Sequence, residues 1–408
     1  MDFEMRAVNE DEVKSYIRAV EAGFGGTPTD EEAETWEVTF ERERSIAVFD
    51  GSTIVGTAGA YTFDMTLPGG TTVPAAGVTA VTVAPTHRRR GILRSMMQHQ
   101  LDDVAERGEP VAILTASESV IYGRFGYGLA SYTAEYQVAC EGTELRRPPA
   151  VDGRIRFVDP EEGQKVLPAI YEAARLSQPG CLTRTAAWWE LHLKDLPRWR
   201  NGGSGFFHAV HESDAGEPDG YVTYRRKGEW SGGLPSGEVW IQEMTATDEE
   251  VAAALWRFCL DVDLVRTVKA FDFPVDAAIR HRLADPRRLQ VRRLHDFLWV
   301  RPIDVPAALE ARRYATEDRI AIEVTDAVRP ATAGTYTVEG GTAGASCSRG
   351  GEADLVMDVA DLGAIYLGGE RASVLARAGR VQERTPGALR RADAFFAAGR
   401  APFCATHF

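Results

Sequence analysis

The 408-residue sequence has no run of about 18 apolar residues, the length a helix needs to cross a bilayer, so no membrane span is expected. Its opening, MDFEMRAVNEDEVKSYIRAVEAGFGG, lacks a basic stretch leading into an apolar one. No secretory signal is read there, and a cytoplasmic location is expected. Cysteine is scarce: Cys140, Cys181, Cys259, Cys347 and Cys404 are odd in number and widely scattered. No two stand at metal or redox spacing, so reduced thiols and no metal are expected. Basic residues are in deficit, 46 Lys+Arg against 60 Asp+Glu for a net charge of −14. That balance argues against nucleic acid or anionic lipid as partners and is compatible with a cationic one.

What is present is ordinary globular material, 44% hydrophobic and 26% charged. The length suits two to four domains of roughly 100–200 residues each. Residues 10–23 and 30–41 read as helices, and 45–50, 53–67 and 71–84 as strands. A helix follows and stops at Gly108, then comes a short buried strand, VAILTA, and a turn or short helix over 117–128. From Gly153 a second set of strands and helices repeats this order, which suggests a diverged internal duplication. A third, compact α+β segment starts near Leu298. No low-complexity linker separates the segments. The expected domains are 1–148, 149–297 and 298–408.

The stretch VTVAPTHRRRGILRSMM, Val81 to Met97, sets three arginines where a strand hands over to a helix. A helix start presents free N–H groups and the positive end of its dipole, so Arg88, Arg89 and Arg90 are repulsive there unless an anion binds. A diphosphate resolves the conflict, with amides from Arg89 to Arg94 donating to it and Gly91 letting it approach. The alternative is a solvated basic turn. At the equivalent point of the second set, Thr247-x-x-Glu250 reads as a capping box flanked by acidic residues. That end excludes anions, so the second copy is expected to be scaffold and cleft wall.

Val81-x-Val83-Ala84-Pro85 followed by Arg88-x-x-Gly91 resembles the acetyl-CoA signature of the GCN5-related N-acetyltransferases, departing from it at Leu93, where that pattern has glycine or alanine. The longer run AVTVAPTHRRRGILRSMM with VAILTASESVIYGRFGYGLA is similar to the Eis (enhanced intracellular survival) family. DVPAALEARRY, LGAIYLGG and a terminal phenylalanine extend the resemblance along the chain. It implies tandem acetyltransferase-like domains followed by a sterol-carrier-protein-like α+β domain, assembled as a homohexamer. It also implies acetyl-CoA as co-substrate and a small cationic primary amine, aminoglycoside-like or lysine-like, as acceptor.

The resemblance assigns roles. Val81, Thr82 and Val83 hold the thioester carbonyl and pantetheine amides. Arg89, Arg90, Gly91, Ile92, Leu93 and Arg94 receive the diphosphate, and Ser117 and Glu118 sit beside the cofactor. Tyr122 protonates the leaving sulfur, and the Phe408 carboxylate is the base. Each has a plainer reading: Tyr122 or Tyr127 as a core aromatic, Ser117 and Glu118 as cap residues, the terminus as a loose end. Phe24 and Trp36 are candidate cleft walls or simply packing aromatics. His407 stands where an acidic residue would help attract amines, and a histidine there could instead assist proton removal. Asp30, Glu31, Glu32 and Glu34 either attract a cation or form a solvated face. The competing functions are a lipid-binding carrier with a vestigial acetyltransferase domain, and aminoacyl transfer from charged tRNA, which the net charge disfavours.

Overall fold

A computed structural model of the chain describes residues 3–408. The first segment runs β1 (Glu4–Ala7), α1 (Val13–Gly23), α2 (Asp30–Glu37), β2 (Ile46–Asp50), β3 (Thr53–Thr66), β4 (Thr72–Val83), α3 (Ile92–Glu106), β5 (Val111–Thr115), α4 (Ser119–Tyr122) and β6 (Gly128–Leu129). Next come β7 (Tyr132–Ala139), β8 (Arg154–Val158), α5 (Pro160–Arg175), α6 (Ala186–His192), β9 (Phe207–Glu212), β10 (Pro218–Lys227) and the hairpin β11 (Trp230–Ser231) and β12 (Leu234–Pro235). β13 (Gly237–Ala246), α7 (Glu249–Leu260), β14 (Val265–Phe273), α8 (Ile279–Arg282) and β15 (Leu289–Asp296) follow. The last segment holds β16 (Leu298–Pro302), α9 (Val305–Ala311), β17 (Asp318–Thr325), β18 (Gly334–Gly341), β19 (Gly344–Arg349), β20 (Leu355–Asp358), α10 (Val359–Tyr366), α11 (Ala372–Arg377), β21 (Val381–Glu383) and α12 (Ala388–Phe395). Among the described residues no helix is long and apolar enough to cross a membrane.

Local chemistry explains the first elements. α2 starts at the Thr29 cap, whose hydroxyl accepts from the Glu32 amide while the Glu32 carboxylate accepts from the Thr29 amide. It ends at Glu37, short of the expected 41, and Phe40 turns back to place its ring 5.4 Å from Tyr16. α1 buries Val13, Tyr16 and Ile17 along one stripe, as helical periodicity requires.

Packing divides the chain into two compact units. One holds residues through Ser131, 179–191 and 296–408; the other holds 132–178 and 192–295. In the first, a seven-stranded sheet has the order β1-β2-β3-β4-β5-β16-β6, and a five-stranded sheet the order β19-β18-β17-β20-β21. In the second, a seven-stranded sheet has the order β15-β7-β14-β13-β10-β9-β8. β4 and β5 are parallel and joined through α3; β13 and β14 are parallel and joined through α7. The same β–α–β crossover in both sheets is what a duplicated fold looks like, and the class is mixed α/β and α+β.

The units do not follow contiguous cuts. β7 lies inside residues 1–148 yet pairs with β14 in the second unit, while β16 opens the third segment yet pairs with β5 in the first. Each parallel pair leaves an outer strand edge whose N–H and C=O groups need partners, and a strand distant in sequence supplies them. Residues 179–183 also serve the first unit. The Gly180 amide donates to the Thr66 carbonyl and the Thr66 amide to the Cys181 carbonyl, both at 2.8 Å.

The third segment shares one core with the first sheet: Phe63, Val111 and Val300 belong to the same cluster as Ile322, Leu362 and Phe395. Its helix α10 is buried along its whole length. α10 meets β6 and β16 backbone to backbone. A Cβ on Gly128 would lie 1.7 Å from the Ala360 carbonyl oxygen, and one on Gly363 would lie 2.1 Å from that of Val300. The segment's interior is filled by side chains. Tyr314 stacks on Phe395 with centroids 3.9 Å apart, and the buried Arg312 guanidinium lies over Tyr314 and Phe396 at 4.6 and 4.9 Å. It donates to the Tyr366 and Phe396 carbonyls.

Gly128→Ala is expected to cost more than about 3 kcal/mol, beyond ordinary overpacking, because backbone on both sides must move. Chemical denaturation measures this. A loss below about 1 kcal/mol contradicts the backbone contact, and Gly123→Ala, which meets open space, is the tolerated control.

Candidate active site

The site begins where two strands part. β4 pairs with β5 over only three residue pairs, Ala75↔Val111, Ala76↔Ala112 and Gly77↔Ile113. β5 ends at Thr115 whereas β4 continues to Val83, so Val78 to Val83 have no strand partner on that side among the described residues. On its other side β4 is bulged against β3, the register slipping between Thr57 and Gly59. Ala80 takes a left-handed φ of 54° there. That conformation costs a non-glycine residue about 1–3 kcal/mol and persists only where surrounding bonds hold it. Thr57 supplies them: its hydroxyl donates to the Ala80 carbonyl at 2.7 Å and lies 2.7 Å from Thr82 Oγ1. Gln100 on α3 donates to the Gly59 carbonyl at 2.6 Å. The bulge turns Val81, Thr82 and Val83, all half-buried, along the open wedge.

At the far end of β4 the chain makes a turn from Pro85 to Gly91 and enters α3. Arg89 and Gly91 both have left-handed φ, 64° and 85°. No side chain caps α3, its first turn has no acidic residue, and a Cβ on Gly91 would meet nothing within 4 Å. Arg88, Arg89, Arg90 and Arg94 are all exposed, and none forms an ion pair with another described residue. Ile92 points its side chain into the core and offers only backbone outward; Leu93 is half-buried against the same clusters.

The equivalent helix in the second unit is built the opposite way. The Asp248 carboxylate accepts from the Glu250 amide at 2.7 Å, and Glu249 and Glu250 fill the first turn. The cap is thus Asp248 and not the Thr247-x-x-Glu250 box. Thr247 donates instead to the Asp219 carbonyl, and Glu250 is taken up by Arg282.

Beyond β5, Ser117 and Glu118 lead into the single turn of α4, which ends at Tyr122. Tyr122 is 6% exposed, and Tyr127 is fully buried with its ring 6.2 Å away, edge to face. Burial pushes the Tyr122 phenol above its ordinary pKa; a hydrogen bond to Ser117 opposes the shift and the Glu118 charge adds to it. Burial raises Tyr127 as well, with the positive charge of Arg301 opposing it.

A cavity of about 340 Å3 opens between α1, α2 and the β3–β4 bulge, and Phe408 lies in its wall. Phe24, Trp36 and His407 line it too, so four of the candidate residues meet there. Phe24 is 54% exposed and belongs to the rim, not to the core. Tyr61 stands edge-on to Trp188, centroids 4.9 Å apart, to form a second aromatic wall. Among the described residues, the one carboxylate side chain in the lining is Glu21. It occupies space that Gly26 leaves free, since a Cβ there would lie 2.6 Å from Glu21 Oε2. Burial, then the nearby Glu32 charge, raises the Glu21 pKa. Three acidic residues of α2 are committed elsewhere: Asp30 pairs with Arg18, Glu34 with Lys14, and Glu32 with the Thr29 cap.

The last residues are tied down. The Phe403 amide donates to the Pro179 carbonyl at 2.8 Å, and Arg184 donates to the Thr406 hydroxyl at 2.9 Å and the Ala405 carbonyl at 2.7 Å. Cys404 is fully buried, and the His407 ring lies 4.8 Å from Phe297, edge to face. The Phe408 ring packs edge-on against Phe63 at 5.2 Å. Thr115 Oγ1 donates to the main-chain oxygen of Phe408 at 3.3 Å. The end of the chain therefore stands at the base of the β4–β5 wedge and in the wall of the cavity. Tyr122 lies past β5 and is not part of the cavity lining.

Comparison with known proteins places this geometry. Residues 4–130 and 180–302 match acetyltransferase (GNAT) domain families, and 305–405 match a sterol carrier protein domain family. An uncharacterised N-acetyltransferase of Streptomyces avermitilis is 42% identical over 406 residues, covering 99% of each chain. The N-acetyltransferase Eis of Mycobacterium tuberculosis is 34% identical over 397 residues, 95% of each. The crystal structure of Eis1 from Mycobacterium abscessus superposes with a TM-score of 0.88 at 34% identity, covering 99% of this chain and all of that one. The chain belongs to the Eis family of N-acetyltransferases. It is an acetyltransferase of two tandem GNAT domains and a sterol-carrier-like domain, and acetyl-CoA is its co-substrate. The chain fits that group, since an uncapped helix start, unpaired arginines and open strand amides lie along one continuous edge. Among the described residues no cluster of three His, Cys, Asp or Glu could hold a metal ion.

Several residues that shape the site of this Eis-family chain, at the bulge or in the cavity wall, escape a reading of the sequence. Thr57 and Gln100 carry no motif. Trp188 lies in the segment read as second domain, and only its return to the first unit brings it to Tyr61. Glu21 could have been found as the carboxylate one and a half turns before Gly25-Gly26, where missing side chains leave room for it.

Proposed function

We propose that the chain acetylates a primary amine of a small cationic acceptor, aminoglycoside-like or lysine-like, with Tyr122 as general acid and the Phe408 carboxylate as general base. The observation that carries this reading is the terminal carboxylate itself, bound to Thr115 at the base of the wedge while its residue walls an aromatic cavity. Bound acetyl-CoA supplies an acetyl group already activated as a thioester. The amides of Arg89 to Arg94 and the guanidiniums of Arg89, Arg90 and Arg94 are the groups suited to its diphosphate. Val81, Thr82 and Val83 offer backbone donors along the wedge, and Ser117 and Glu118 flank it opposite.

Trp36 and the Tyr61–Trp188 pair give an entering ammonium aromatic faces, and Glu21 gives it a counter-charge. A molecule with two amines can then place one at Glu21 and the other at Phe408. The Phe408 carboxylate takes a proton from that second nitrogen, which frees its lone pair. Desolvation in the cavity disfavours the ammonium form and narrows the pKa gap the carboxylate must bridge. Phe24 closes the rim, and His407 offers an imidazole beside the base. Tyr122, held protonated by burial, delivers its proton at the sulfur. Tyr127 is set too deep to do so.

The residue spans 1–148, 149–297 and 298–408 are proposed as the inherited modules, with a cytoplasmic homohexamer carried over from the family. The exposed Val291 and Leu294 on β15 give such an assembly apolar surface to cover. The lipid-carrier alternative is not adopted, because aromatic side chains and Arg312 fill the third segment's interior.

Tyr122→Phe is expected to lower kcat about 100-fold in thiol-release assays with acetyl-CoA and a diamine, with acetyl-CoA Kd by calorimetry changed less than about threefold. Equal loss of both contradicts the acid role. Glu21→Gln is expected to raise KM about fivefold or more for a diamine and leave a monoamine within about twofold. Because the Glu21 pKa is raised, its charge is lost earlier as pH falls than for an ordinary carboxylate. The wild-type diamine KM should therefore climb on mild acidification, and the variant's should stay flat. Equal effects on both amines contradict the role of Glu21.

A further inference from the structure

The loop that carries Tyr122 is not self-supporting. α4 is one turn long, and the residues after it are joined to it only by short-range bonds, Gly126 N–H to the Gly123 carbonyl at 3.2 Å and Tyr127 N–H to the Tyr122 carbonyl at 3.3 Å. What fixes its far side comes from almost two hundred residues further along. Arg301 on β16 is fully buried, and its Nε donates to the Phe125 carbonyl at 2.6 Å. Nη1 donates to the Pro302 carbonyl at 3.0 Å, and Nη2 to Asp326 Oδ2 at 2.8 Å. Asp326, beyond β17, accepts on its other oxygen from the amides of Val328 and Arg329, both at 2.9 Å. The left-handed Gly126 rests on this guanidinium. A Cβ there would lie 3.1 Å from Arg301 Cζ and 2.8 Å from Val359 Cγ1 of α10.

An arginine with no exposed surface holds its place only if its donors are met and its charge is balanced. Here every one of those partners lies on the Tyr122 loop, on β16 itself or at the turn that follows β17. The Phe125 carbonyl, three residues past Tyr122, is the link from the loop to β16.

We infer that Arg301 and Asp326 are positioning residues for Tyr122: through the Phe125 carbonyl and Gly126, the buried pair makes the third segment the template on which the acid-bearing loop is set. The inference rests on the reading of Tyr122 as general acid. The third segment then serves the active site twice, once through the chain end and once through this pair.

The test is a double-mutant cycle in the full chain. Asp326→Asn and Arg301→Lys are each expected to lower kcat about tenfold or more, with acetyl-CoA Kd and amine KM within about twofold. In a Tyr122→Phe background each should cost less than about twofold further, because a misplaced loop has no acid left to misplace. A purely structural role would weaken binding as well and would cost the same in both backgrounds; either result overturns the inference, as does an unchanged kcat. Should a single variant fail to fold, the paired Arg301→Met/Asp326→Leu replacement removes both charges at similar volume. Its kcat must show the same loss and the same dependence on Tyr122, and wild-type turnover in it overturns the inference. Full turnover in Tyr122→Phe alone instead marks failure of the acid reading, on which the inference falls too.

Discussion

A parallel strand pair that separates after three residues leaves backbone donors facing nothing, and the rest of this molecule is arranged around that opening. β4 runs on past β5 with no strand partner on that edge among the described residues, and the bulge at Ala80, held by Thr57 and Gln100, turns it along the gap. An unpaired run of amides is costly when buried and useful when a ligand supplies the acceptors. The α3 start extends the same logic, since it lacks the side-chain cap and acidic first turn that its counterpart α7 has. One copy of the duplicated fold leaves its helix start without a side-chain cap; the other caps it with Asp248.

The third segment completes that opening instead of standing apart from it. It shares a core with the first sheet, lays α10 against β6 and β16 through paired glycine contacts, and sends its final residues back to the wedge. A chain end is ordinarily mobile. Here Arg184, Pro179 and Thr115 bind the last six residues, and Phe63 packs against the terminal ring. The Phe408 main-chain oxygen is thereby set beside an aromatic cavity.

Much of this was legible in the residues. The arginine triplet at a strand-to-helix junction, the short strand before the IYGRFGYG run and the apolar APFCATHF tail are local signals, and local signals depend on few partners. Other features rest on distant pairing. The exchange of β7 and β16 between sheets cannot be seen in either strand, because edge satisfaction is decided by whichever sheet offers the open edge. The path of residues 179–191 back to the first unit, and with it the place of Trp188, fails for the same reason. Asp248 displaced Thr247 as cap because both types cap helices and only backbone geometry chooses between neighbours. Phe24 illustrates the converse: residue type left cleft wall and packing both open, and position at the end of α1 exposes it at the cavity rim.

In the proposed reaction the base is the charge that Phe408 carries at the end of the chain. The direct measurement is turnover by a semisynthetic protein whose Phe408 ends in a carboxamide, which keeps the ring against Phe63 and an oxygen for Thr115 but removes the proposed base. The account predicts a kcat lowered about 100-fold or more with acetyl-CoA Kd within about threefold. Turnover equal to that of the free carboxylate would contradict it.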